Sequence, residues 1–244
     1  MGNIWDWFCK LSLFIMVVLI LNSLIGDLLF KLQYSSPKLI SSSAKAINTN
    51  NEPIQINLSQ PKLIIAKGEK NRYVLQGMAE YSLTGVVVAK NTNFWFRDVM
   101  RSRFDDICLM DLGVVWGDLA ADKNLLNKHI KFKSTKTLGQ ARQLQPRCKK
   151  NCNEIPWNIN YFNSHISHTH LIPANTSVMS ALLTIKKWDT VKLDGYLVDI
   201  YTDKNEVVAR TSLSRSDNNA QGRGYGACED MYVTNVQINN KIYK

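Results

Sequence analysis

Residues 190–201, TVKLDGYLVDIY, set Val191 and Leu193 on one side of an extended chain and Tyr196, Val198 and Ile200 on the other. Successive side chains of a strand point to opposite faces, so the change of side reads as a strand whose phase slips at Gly195, through a β-bulge or a backbone with φ > 0. Working outward, Asp203-Lys204-Asn205 reads as a hairpin turn into a strand over Glu206–Ser212, and Tyr232, Val236 and Ile238 mark a last strand. Upstream, Tyr81, Leu83, Val87 and Ala89 alternate with Ser82, Thr84 and Val88 around Gly85, the period of a half-buried strand. One helix is well signalled: Asn175, Thr176 or Ser177 can cap it, Val178, Leu182 and Ile185 share a face, and Lys186 and Lys187 complement its C-terminus. Residues 107–121, ICLMDLGVVWGDLAA, are apolar in short blocks, and periodicity does not separate helix from buried strand there. Strands joined by short turns predict an α+β domain, mainly antiparallel, with one or two helices.

The 244 residues are 45% hydrophobic and 20% charged, which excludes wholesale disorder and suffices for a core. Thirty Lys and Arg against twenty Asp and Glu give a formal charge of +10, which favours acidic surfaces as partners. Residues 11–30, LSLFIMVVLILNSLIGDLLF, carry Asp27 as their one charge and would span about 30 Å as a helix, which predicts a single transmembrane helix. Trp5, Trp7, Lys10 and Lys31 suit interfacial anchoring, and the n-region and the absence of a small-residue cleavage site argue against a signal peptide. The expected organisation is a short tail (1–10), the transmembrane helix (11–30), a flexible linker (31–60) rich in Ser, Asn and Gln, and a globular domain (61–244). Lys31, Lys38 and Lys45 tilt the positive-inside count toward a cytoplasmic C-terminal part, whereas the short tail and the cysteines favour an exported one; the latter is preferred, at a bacterial inner membrane with the domain in the periplasm.

Several clusters could carry chemistry. Lys123, Lys128, Lys131, Lys133, Lys136, Arg142, Arg147, Lys149 and Lys150 face one acidic residue, Asp122, between 121 and 152. A solvated loop is the plain reading, and contact with an anionic lipid surface or an acidic partner the functional one. With Phe132 as its sole aromatic residue the stretch is poorly suited to nucleic acid. Cys148 and Cys152 could form a local disulfide, with Cys108 and Cys228 as a second candidate pair and Cys9 left over. His165, His168 and His170 form H-x-x-H-x-H, of which His168 and His170 would share a strand face; structural histidines are the plain reading, metal ligands the alternative. Gly222, Gly224 and Gly226, near Arg215 and Arg223, lack the context of a phosphate-binding loop. Cys228 with His170 or another of the histidines could form a nucleophile and base, against the plain reading of a structural cysteine.

Trp116-Gly117-Asp118, His170-Leu171-Ile172-Pro173-Ala174-Asn175, Gly195-Tyr196-Leu197-Val198, Ser212-Leu213-Ser214-Arg215-Ser216-Asp217 and Gly226-Ala227-Cys228-Glu229 resemble recurring blocks of an uncharacterised family of bacterial membrane-anchored envelope proteins. The resemblance covers roughly residues 110–233 and implies an envelope protein without assigning a catalytic role. The expectation is a non-enzymatic, membrane-anchored protein whose domain binds a protein partner or membrane assembly and needs no cofactor. The alternative is a membrane-tethered hydrolase using Cys228 with a histidine, or a metal held by His165, His168 and His170.

Overall fold

A computed structural model describes residues 4–33, 37–92, 102–135, 143–214 and 228–244. From the N-terminus the elements are α1 (Ile4–Gln33), β1 (Leu39–Ser41), β2 (Ile54–Lys67), β3 (Arg72–Thr92), α2 (Arg103–Ile107), β4 (Met110–Val115), α3 (Asp118–Ala121), α4 (Lys123–His129), β5 (Ile130–Thr135), β6 (Gln143–Cys148), α5 (Ile159–Ser164), β7 (Ile166–Pro173), α6 (Thr176–Thr184), β8 (Thr190–Thr202), β9 (Val207–Ala209), β10 (Glu229–Ile238) and β11 (Lys241–Tyr243). The domain is rich in sheet and has few long helices.

The transmembrane helix expected over 11–30 is overturned. Among the described residues no helix is long and apolar enough to cross a membrane. α1 carries Lys10 ahead of its apolar stretch. Within 31–60, expected from composition to be a linker, Leu39–Ser41 pairs with β11 and the first half of β2 pairs with β3.

Nine strands form one sheet, and five of them close on themselves: β3 pairs β4, β4 pairs β7, β7 pairs β10, β10 pairs β8, and β8 returns to β3. Only the β7–β10 pairing in that ring is parallel. One face of the five strands supplies a continuous cluster that includes Tyr81, Leu83, Leu112, Val114, Leu171, Val191, Leu193, Leu197, Met231 and Val236, so this face is the inside of a small barrel. Val178, Ala181 and Leu182 from α6, with Ile185 just after it, join the same cluster. The outer face is covered in two places. Ile107 and Phe104 pack with Tyr73, Leu75, Ile172, Val198 and Ile200, while Leu119, Leu126 and Phe162 pack with Val86, Val88, Val115 and Ile166.

This two-sided burial accounts for the β8 pattern and corrects the slip inferred from it. Val191, Leu193 and Leu197 point inward and Val198 and Ile200 outward, in unbroken alternation, so β8 itself does not slip. The irregularities lie in its neighbours, between Gly77 and Ala79 of β3 and between Val233 and Asn235 of β10. In β3 the extra residue moves the odd-numbered side chains from the outer cluster (Tyr73, Leu75) to the inner one (Ala79, Tyr81, Leu83). Gly195 does not have positive φ. It is needed because a Cβ there would stand 1.9 Å from the Tyr232 carbonyl oxygen.

The ambiguous block 107–121 contains the fully buried β4. As the sequence indicates, α6 is capped by Asn175, whose side chain accepts from the Val178 amide at 2.9 Å. Its C-terminus is met differently from expectation: Lys90 of β3 donates to the carbonyls of Leu182, Leu183 and Ile185 at 3.1, 2.7 and 2.8 Å.

Candidate active site

Three adjacent barrel strands, β4, β7 and β10, bring the polar residues of the outer wall together, and register decides which ones meet. His170 is opposite Asp111 across the antiparallel β4–β7 pairing and opposite Asp230 across the parallel β7–β10 pairing. The row Asp111–His170–Asp230 therefore crosses all three strands. Two residues away on each, with the same facing, are Gly113, His168 and Cys228, of which Gly113 and His168 are register partners. One donor atom from each of His168, His170 and Cys228 lies within 4.8 Å of the others.

The contacts within this grid are specific. His170 Nδ1 bonds to Asp111 Oδ1 at 2.8 Å, and both residues are almost wholly buried. His168 Nδ1 is 3.4 Å from Cys228 Sγ. The two imidazoles meet edge to face with centroids 4.8 Å apart, and Phe104 of α2 packs edge-on against His170 at 4.9 Å. That helix is held in place by a capping box at Ser102 and by Asp106, which accepts from the Lys70 and Asn71 amides and the Tyr73 hydroxyl.

Burial opposes a charged His170, but the Asp111 carboxylate and then the Cys228 thiol outweigh it, so the ring's pKa stands well above the ordinary histidine value. Burial likewise pushes Asp111 up, yet His170, helped by His168 and Asn91, carries its pKa below the usual carboxylate value. The pair is thus an imidazolium and a carboxylate. Asp230 is pushed up to about 7 by burial, with His170 opposing and Asp199 and Asp111 adding to the rise. Burial, reinforced by Asp230, Asp111 and Asp105, raises the Cys108 thiol far above its usual range, which makes it an inert neighbour.

The other residues singled out from sequence fall elsewhere. His165 is at the C-terminus of α5, stacked on Tyr161 with centroids 3.9 Å apart, with Nδ1 against the Ser164 hydroxyl and the Tyr161 carbonyl. The metal set His165, His168 and His170 is therefore not brought together, and Cys228 takes the place of His165. Cys148 and Cys152 are joined in a disulfide, whereas Cys108 and Cys228 are both reduced, so the second candidate pair does not form. Of the basic stretch, Lys128, Lys131, Arg147, Lys149 and Lys150 are exposed. Lys133 is on β5, and Lys136 and Arg142 lie outside the described residues. Gly222, Gly224, Gly226, Arg215 and Arg223 also lie outside them.

Asp111 and Asp230 escape a search that looks for carboxylates near the histidines along the chain. A signal existed: Asp111 is the lone charge in Ile107–Val115, and Asp230 repeats the every-second-residue spacing from Cys228. No family model, curated protein or solved structure matches the chain.

Proposed function

We propose that the protein is a thiol-dependent hydrolase in which Cys228 is the nucleophile, His170 the acid–base group and Asp111 the residue that orients the imidazole. The observation that carries this reading is the buried His170–Asp111 pair at 2.8 Å beside the Cys228 and His168 side chains. A nucleophile, a base and a third group fixing the base are the parts that covalent acyl transfer needs. The Cys228 sulfur adds to a substrate carbonyl carbon as a thiolate, its proton passing to His170; as the tetrahedral adduct collapses, His170 gives a proton to the leaving oxygen, sulfur or nitrogen. Water then attacks the thioester, giving one proton to His170, and the carboxylic acid departs as the sulfur is released. Phe104, packed on His170, keeps one side of the ring dry.

The test is turnover of activated esters and thioesters by the full chain, with Cys228→Ser and His170→Ala as comparators. The expected loss for His170→Ala is about 10²–10⁴-fold, the range of a positioned acid–base group. Turnover that survives Cys228→Ser unchanged would sink the reading.

The expected partner-binding role retains one supporting feature. Ile54, Ile56, Leu63 and Ile65 on β2 are all more than half exposed, and β2 pairs with β3 alone among the described residues. An edge of this kind can add a strand from another polypeptide.

A further inference from the structure

Resting on the reading of this wall as a thiol active site, we infer that His168, His170 and Cys228 also form a zinc site that holds the nucleophile in an inactive state. His168 has no place in the three-part arrangement of nucleophile, base and orienting carboxylate, yet its Nδ1 is 3.4 Å from Cys228 Sγ. Two ligands on one tetrahedral zinc, at about 2.0 Å for nitrogen and about 2.3 Å for sulfur, stand about 3.5 Å apart. The third donor is close enough to join them, all three lying within 4.8 Å. Because His170 Nδ1 is engaged by Asp111, its Nε2 is the nitrogen left for a metal. A carboxylate behind a ligating histidine is the usual support of such a ligand, fixing its tautomer and orientation. Two nitrogens and one sulfur select a borderline-soft ion such as Zn²⁺ over Mg²⁺ or Ca²⁺, which take oxygen ligands. The three ligands leave a fourth position for water.

Zinc takes the sulfur as a thiolate and the histidines as neutral imidazoles, so binding releases a proton. The sulfur lone pair that would attack a carbonyl is then donated to the ion. The strands that carry the ligands are barrel strands, and Cys228 directly precedes β10. Register therefore sets where the ligands stand, and binding draws donors now up to 4.8 Å apart onto the ion.

The experiment uses chelator-treated full-length protein. Co²⁺ is titrated first, as a spectroscopic substitute, and then Zn²⁺; alkylation of Cys228 by iodoacetamide is followed by mass spectrometry of its peptide, which separates it from Cys9 and Cys108. The expected result is a cobalt–thiolate absorption band that saturates at one equivalent, and Cys228 labelling slowed at least tenfold by one equivalent of Zn²⁺ and restored by chelator. His168→Ala should weaken Co²⁺ binding at least tenfold; the wild-type titration stands whether or not that variant folds. Absence of the thiolate band, or labelling that Zn²⁺ does not slow, overturns the zinc site. The hydrolase reading fails separately, if metal-free protein shows no Cys228-dependent turnover while the cobalt band is present.

Discussion

At Gly195 a hydrogen in place of a methyl group lets two barrel strands approach: the Tyr232 carbonyl oxygen would be 1.9 Å from a Cβ. Because backbone rather than a pliable side chain occupies that space, Gly195→Ala should lower stability by about 1–3 kcal/mol, seen as a lower melting temperature. A variant that melts at or above the parent temperature would contradict the close approach. The buried pair Asp111–His170 gives a second expectation. Removing one partner strands a charge, so Asp111→Ala should cost about 3–5 kcal/mol in urea unfolding, while replacing both residues by leucine should cost less than that single change. Sequence spacing suffices to put His168 and His170 on one face, because that follows from the two-residue period of a strand, and Cys228 stands out by its chemistry, a thiol close to arginine in a chain with several histidines. Their partners were not legible. Asp111 is 59 positions from His170 and meets it only through register, a property of two strands that neither one encodes alone.

Among the elements, α6 shows how strand and helix depend on each other. Its last carbonyls are satisfied by Lys90 from β3, so Lys90→Met should destabilise the domain by about 1–3 kcal/mol. Burial lowers the Lys90 pKa to about 8, with Asp189 opposing. Between pH 8 and the ordinary lysine value the unfolded chain therefore binds more protons than the folded one, and folding strengthens as pH rises through that window. The melting temperature of the parent should gain on that of Lys90→Met between pH 7 and pH 10. The β5–β6 hairpin is less central: its disulfide closes a separation of 4 residues and, among the described residues, its strands pair only with each other. Reduction should cost ~2 kcal/mol or less, a small drop in melting temperature with the barrel intact. The α6 cap and period are readable because they are local, whereas β1 and the first half of β2 fall in a stretch whose apolar residues follow no sustained period, and much of β2 faces solvent.

For the whole molecule, individual strands were legible but the ring was not. Alternation identifies a half-buried strand, but β8 is buried inside the barrel along one part and under an outer layer along another, and its pattern imitates a slip. Apolar composition likewise suggests a span in α1, although among the described residues no helix is long and apolar enough to cross a membrane.

Closure of the ring also sets an order of events during synthesis. Of the five barrel strands β10 emerges from the ribosome last, and it joins β7 to β8. Until it arrives, β3, β4, β7 and β8 hold an open sheet whose inner face lacks Met231, Val233, Val236 and Ile238. Cys228 arrives with β10, so its sulfur meets His168 and His170 only as the last seam closes, and a nascent chain cannot carry the finished cluster. Chains stopped after residue 214 should consequently be digested rapidly by a broad-specificity protease under conditions in which the full chain resists. Equal resistance of the two would mean that the remaining strands form a stable unit without that seam.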